Sequence, residues 1–166
     1  VHAAEVCRRL AHLINARLTL IPAPGIVGSE EMKTVVMADS YVQSAFKQFA
    51  SINVAFIGIG VPSAESVLMR DGSIITQAEL TMLQARGALG DVVLRFFDQD
   101  GQPIISEIDN RVIGITPGGT APDQTRGGGA GGPKKDEVVL AALRGGLINV
   151  LITDTGLAAR ILEQNE

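Results

Sequence analysis

An apolar run of strand length, Val54-Ala-Phe-Ile-Gly-Ile-Gly60, lies near the middle of this 166-residue chain. It is too short to cross a bilayer, and its lack of polar alternation marks a strand covered on both faces. A second run, from Leu147 to Thr153, has the same character. Helical spacing fills much of the sequence around them. Buried strands alternating with helices constrain the chain to a three-layer α/β architecture with a mainly parallel sheet. Aromatic residues make up only 4% with no Trp, so the core is aliphatic, which suits such a sheet.

The helical segments carry their own punctuation. Val6, Leu10, Leu13 and Ile14 recur by threes and fours in the first segment, with Cys7 expected as a buried structural thiol among them. Residues 18–21 are expected as a short strand, stopped by Pro22-Ala-Pro-Gly25. Ser29 can cap a helix that opens on Glu30 and Glu31, and Asp39 or Ser40 can cap one that buries Val42, Ala45, Phe46 and Phe49. Thr76-Gln-Ala-Glu79 is a capping box. Residues 91–98 are expected as one strand, closed by the turn Asp98-Gln-Asp-Gly101, with a partner strand from Pro103 and another short strand at 111–115. A helix follows Lys135, and Thr153 or Asp154 caps the last one.

Composition excludes several functions. The net charge is −4 and the pI is near 5.2, whereas a chain that neutralises duplex phosphates is usually basic. One cysteine rules out an internal disulfide and a cysteine-rich zinc centre. The two histidines, His2 and His12, form no HExxH pattern, so neither metal nor cofactor is expected. No apolar run reaches the roughly 18 residues of a membrane helix, and no secretory signal is evident, which points to the cytoplasm. Chemistry at the carboxyl ends of parallel strands points to three places: the turn at Gly58 to Ser63, the loop before Lys135, and Thr153-Asp154.

Glycine is in excess, at 19 residues where about a dozen are usual for this length. Eight of them fall between positions 114 and 132. Gly127, Gly129 and Gly132 match GxGxxG, but the polar residues 122–126 before them do not suggest the strand that the dinucleotide fingerprint requires. Pro133 interrupts any Walker A loop. Gly131-Gly-Pro-Lys-Lys135 stands directly before a helix, where free N–H groups and a lysine can hold a small anion. A solvated glycine linker with two exposed lysines explains the same residues equally well. Arg70-Asp-Gly72 suggests a polar turn. Asp98, Asp100 and Gly101 lack the downstream glutamate of a calcium loop.

Several blocks occur together in order: Leu20-Ile-Pro-Ala-Pro-Gly25, Val54 to Gly60, Gly90-Asp-Val-Val-Leu-Arg-Phe-Phe-Asp-Gln-Asp-Gly101, Asn110-Arg-Val-Ile-Gly-Ile115, Gly131-Gly132…Lys135, and Ala142-Leu-Arg-Gly-Gly-Leu-Ile-Asn-Val-Leu-Ile-Thr-Asp154. In this combination the chain resembles the effector-binding domain of the SorC/DeoR-type bacterial transcriptional regulators over nearly its whole length. The resemblance implies a Rossmann-like parallel sheet similar to phosphosugar isomerases and CoA transferases. It implies a sugar or sugar-phosphate effector, operator DNA read by a separate N-terminal helix-turn-helix, and a homodimer or homotetramer altered by ligand. Residues 1–166 then form one effector-binding domain, without the helix-turn-helix and without the first strand and its phosphate-holding loop.

Site residues follow from the same resemblance. Lys135 matches the family lysine that contacts a phosphate or sugar aldehyde, beside Gly131 and Gly132. Asp91 matches an acid that bonds sugar hydroxyls, and Arg70 a ligand-binding arginine of some members. Gly58 and Gly60 match the strand-end turn that a ligand approaches, and His2 matches a polar contact near the first helix. Where the family shows an apolar strand before Gly-Gly, this chain has Gln124-Thr-Arg-Gly-Gly-Gly-Ala130, with little β-propensity. The resulting expectation is a sugar-sensing domain without turnover. A phosphosugar isomerase-like enzyme with Asp91 as base, and an oligomerisation module without a ligand site, are the competing readings.

Overall fold

The computed structural model describes residues 3–63, 66, 75–115 and 124–164. Helix α1 spans Ala3–Leu13, α2 Glu30–Met37 and α3 Ser40–Lys47, followed by a 3₁₀ turn at Gln48–Ser51. Strand β1 is Val54–Gly60, α4 Gln77–Ala85, β2 Gly90–Val92 and β3 Arg95–Phe97. A second 3₁₀ turn covers Glu107–Asn110; then come β4 (Thr125–Gly129), α5 (Asp136–Arg144), β5 (Val150–Ile152) and α6 (Thr155–Glu163). Side-chain oxygens begin four of the helices. Ser29 accepts from the Met32 N–H, Asp39 from Tyr41 and Val42, Thr76 from Glu79, and Asp154 from Leu157. Each satisfies an amide that the helix itself leaves free.

The five strands form one mixed sheet in the order β3-β2-β1-β4-β5. β1, β4 and β5 run parallel, with Phe56 opposite Gly127 and Gly127 opposite Val150. The β2–β3 hairpin is added antiparallel at the edge, through Ile59 opposite Val92 and Gly60 opposite Asp91. The parallel trio carries the helical crossovers of an α/β fold, α5 linking β4 to β5.

One face of the sheet meets the main core. Ile59, Val92 and Phe97 pack with Val138, Val139 and Ala142 of α5, Ile148, and Leu157 and Ile161 of α6. A second cluster joins Ile75, Leu80, Leu83, Phe96, Ile108 and Val112. The ion pair between Arg95 and Asp109, at 2.6 Å, fastens the second 3₁₀ turn to β3, and Arg111 pairs with Glu79 of the capping box. The other face of β1 and β5 is open. Val54 is 51% exposed, Phe56 68% and Ile152 53%. The expectation that β1 is covered on both faces therefore fails within the described residues: alternate side chains along it are exposed.

Several further expectations are corrected. Residues 18–21 form no strand; Leu18 and Leu20 are exposed, and the pairing falls later, at the bridge between Ile26 and Val112. That bridge is all that forms of the strand expected at 111–115, and Pro103 likewise makes a single bridge, with Phe97. α1 buries none of its residues, so Cys7 is an exposed thiol, not a core one. The strand expected over residues 91–98 is a hairpin. Its two-residue turn, Val93-Leu94, takes left-handed φ angles of 53° and 62°. Such a turn ordinarily carries Asn-Gly, so Val-Leu gives no sequence signal for it.

The polar, glycine-rich residues before Ala130 do form a strand, and it is central. Backbone bonds to β1 on one side and β5 on the other hold β4 without help from its own side chains. Neighbours fill the core in their place. A Cβ at Gly128 would lie 2.5 Å from Ile148 and 3.2 Å from Ile59, space those side chains already occupy. Gly127 and Gly129 lie inside this strand rather than in a turn after it, so the GxGxxG match is not a nucleotide loop.

Candidate functional site

The parallel strands bring their carboxyl ends, Gly60, Gly129 and Ile152, to one edge of the sheet. The chemistry expected from the sequence collects there. Asp91 is carried next to Gly60 by the antiparallel pairing of β2 with β1. Its carboxyl lies over the end of β1 only because residue 60 is glycine: a Cβ there would sit 2.0 Å from Asp91 Oδ1. Asp91 is itself buried, at 8% exposure. Burial pushes its carboxyl up to about 6, against the opposing pull of the Leu94 backbone N–H and the charge of Lys135. The left-handed Val93-Leu94 turn is what brings the Leu94 N–H back to that carboxyl.

Lys135 approaches the same place from the other side. It stands at the N-terminus of α5 and donates from Nζ to the Ile59 carbonyl at 2.5 Å. An ammonium and a buried carboxyl thus both lie at the end of one strand. Together they offer donors and an acceptor to a polar ligand, with a cation for any anionic group it carries.

The loop before Lys135 is tied to α6. The Gly132 N–H donates to Asp154 Oδ2 at 2.8 Å, and Arg160 Nη2 donates to the Gly132 carbonyl at 3.1 Å. Arg160 also forms a two-pronged pair with Asp136, at 2.8 and 3.0 Å. Hydrogen bonds from the Leu157 and Gly132 amides hold the Asp154 carboxyl below its usual range, and the bond from Arg160 does the same for Asp136. An anion that takes the Gly132 amide has to displace the Asp154 carboxylate. The sequence marks Asp154 as a helix cap and as part of one strand end, but its second bond, to a loop 22 residues earlier, is not foreseen.

Gly60, Asp91, Lys135, Gly131 and Gly132 are therefore gathered at the strand ends. Gly58 lies two residues earlier on the open face, with empty space where a Cβ would be. Arg70 and His2 lie outside the described residues, as does the Arg70-Asp-Gly72 turn. Among the described residues, no group of three or more His, Cys, Asp or Glu is placed to hold a metal ion, and no helix is long and apolar enough to cross a membrane. A groove of about 390 Å³ beside α2, lined by Lys33, Thr34 and Asn110, contains none of the gathered residues.

The carboxyl ends of the strands, where this sheet carries a buried acid and a lysine, are where open α/β sheets of the small-molecule-binding class take their ligands. The family follows from comparison with known proteins. Residues 1–163 match the family described as "Putative sugar-binding domain", and the chain belongs to that family. Among relatives, the transcriptional regulator LsrR of Escherichia coli K12 is 34% identical over 147 residues, covering 87% of this chain and 46% of that protein. LsrR of Klebsiella pneumoniae is 32% identical over 148 residues, with the same coverage of each. The chain spans about half the length of the curated relatives it matches.

Solved structures agree. A DeoR family transcriptional regulator from Listeria monocytogenes superposes with a TM-score of 0.87 at 28% identity, covering 96% of this chain and 64% of that one. The full-length sorbitol operon regulator SorC from Klebsiella pneumoniae gives 0.81 at 25% identity, covering 92% and 49%. The chain is thus similar to the effector-binding domains of SorC/DeoR-type regulators, the resemblance its sequence blocks carry.

Proposed function

We propose that this domain senses a small hydroxylated carbohydrate, phosphorylated at one end, without converting it. The observation that carries this reading is the convergence of Lys135 and the buried Asp91 at the end of β1. Asp91 accepts from sugar hydroxyls, Lys135 holds the anionic group, and the Gly131-Gly132 loop and Gly60 let the ligand approach backbone. The family resemblance offers Arg70 and His2 as further polar contacts for such a ligand; both lie outside the described residues. In the longer protein, ligand binding favours one arrangement of a homodimer or homotetramer and so changes the affinity of a separate helix-turn-helix for operator DNA. The acidic charge of this chain suits a sensor that leaves DNA to another domain, and the cytoplasm is where such a regulator works. Relatives named as transcriptional regulators support sensing over catalysis.

The test is a thermal-shift and calorimetric screen of sugars and sugar phosphates against the intact protein and Lys135→Ala. At a concentration of about 100 Kd a true effector stabilises the native protein by about 2.7 kcal/mol. Loss of a charged donor in Lys135→Ala is expected to weaken it at least about tenfold. A sugar that stabilises both forms equally removes Lys135 from the site. A sugar recovered chemically changed from the mixture establishes turnover instead.

A further inference from the structure

Lys135 sits at the end of a loop with few side chains of its own to hold it. Its backbone is not fixed by a helix-capping side chain, and Gly131 and Gly132 bring no packing. Yet its Nζ reaches one particular carbonyl, Ile59 O. Something else sets the direction of that reach.

The bonds across to α6 supply it. Gly132 is held at both ends of its own unit, its N–H by Asp154 and its carbonyl by Arg160. Asp136, the residue after Lys135, is gripped by both prongs of the same guanidinium. Only Pro133, Lys134 and Lys135 lie between these anchors, and Pro133 has one backbone dihedral locked. Both anchors come from residues 154 and 160, and Asp154 is in turn fixed by the Leu157 N–H. A planar guanidinium that bonds a carboxylate with two prongs fixes orientation as well as distance. The geometry has no slack for a bulkier neighbour: a Cβ at Gly131 would lie 3.0 Å from Asp154 Oδ2.

We propose that Asp154 and Arg160 are positioning residues for Lys135: they clamp the 132–136 loop so that the ammonium is aimed at the end of β1 before any ligand arrives. The functional importance of that aim rests on the sugar-sensing reading above, but the clamp does not. A ligand-free measurement therefore separates the two.

The experiment is performed on the full-length protein. Lysines are reductively methylated with a ¹³C label, the Lys135 signal is assigned by its loss in Lys135→Arg, and exchange of the Gly132 amide is followed by NMR. In the native protein the Lys135 signal stands apart from that of Lys134, and the Gly132 amide exchanges at least about tenfold slower than an unbonded loop amide. Arg160→Gln moves the Lys135 signal toward that of Lys134. Arg160→Lys, which keeps the charge without the fork, recovers part of the separation. Asp154→Asn retains a cap for α6 but cannot serve both amides with one oxygen, so Gly132 loses its protection. A structural role alone would lower the melting temperature and leave the Lys135 signal in place below the transition. That outcome overturns the proposal. Should a variant not fold, an unprotected Gly132 amide in the native protein overturns it as well. If the clamp is confirmed while no sugar phosphate binds, the sensing reading fails and the positioning stands.

Discussion

The two faces of the sheet are built from the same strands and behave oppositely. On one, Ile59 and Val92 are almost fully covered by α5 and α6, and the ring of contacts includes Val139 and Leu157 at 0% exposure. On the other, Val54, Phe56, Val150 and Ile152 stand largely in the open. The stripe Val6, Leu10 and Leu13 of α1, with Ile14 just after it, is exposed too. Apolar character along a strand therefore does not report how much each residue contributes to holding these elements together. Contribution follows from what lies opposite the side chain.

The largest effect that would break this comparison belongs to the covered face. Leu157→Ala removes a side chain with no exposure and is expected to cost about 3 kcal/mol in chemical denaturation, from lost transfer energy and the cavity left behind. A cost near zero would mean that α6 does not seal that face.

Asp91 stands at the margin of the other face, on the Gly60 side of the sheet, and is its buried exception. Its carboxyl binds a proton more tightly in the folded state, with a value near 6 against 3.8. Its contribution is therefore favourable below pH about 4 and is lost as pH rises through about 6. Asp91→Asn is expected to stabilise the ligand-free protein by about 2 kcal/mol at pH 8. That gain should vanish below pH 4, which urea melts of the two proteins across this range will show. A gain that persists at pH 4 would place the effect in packing, not in ionisation.

Adjacent glycines sharpen the contrast at a single strand. Gly128→Ala drives a Cβ into Ile148 and is expected to cost about 2 kcal/mol by overpacking. Gly127→Ala points to the open face, where the nearest atom is 3.5 Å away, and should change stability by less than about 0.5 kcal/mol. The smallest effect is expected for Phe56→Ala, also within about 0.5 kcal/mol, despite the size of the ring. If Phe56→Ala matches Leu157→Ala, the open face is covered in solution and the comparison collapses.

Local features of the fold were legible in the sequence. Ser29, Asp39, the Thr76–Glu79 box and the cap before α6 act within three residues of themselves, so their meaning is contained in short stretches of chain. The placement of Asp91 and Lys135 at strand ends came from the family resemblance together with the strand-end rule. What the sequence hides is whatever a residue owes to distant neighbours. β4 has almost no strand signal because its bonds and its filling are supplied by β1, β5 and Ile148. The Val93-Leu94 turn is hidden because these residues are poor formers of it; left-handed backbone costs roughly 1–2 kcal/mol per residue, offset here by the packing of Leu94 against the second cluster. The Arg160 fork joins the last turn of α6 to the first residue of α5, 24 residues earlier, with no pattern between them.

A strand that ends in three successive glycines works as a spacer. β4 keeps β1 and β5 two inter-strand steps apart, about 10 Å, while adding almost no bulk between them. Lys135 crosses the first of those steps from the β4 side to the β1 end, and Asp154 crosses the second back from β5. The spacing of the strand ends is thus set by peptide geometry, not by side chains. The chemistry there is left to side chains. Substitution can therefore change the chemistry of this edge without remaking the frame that holds it.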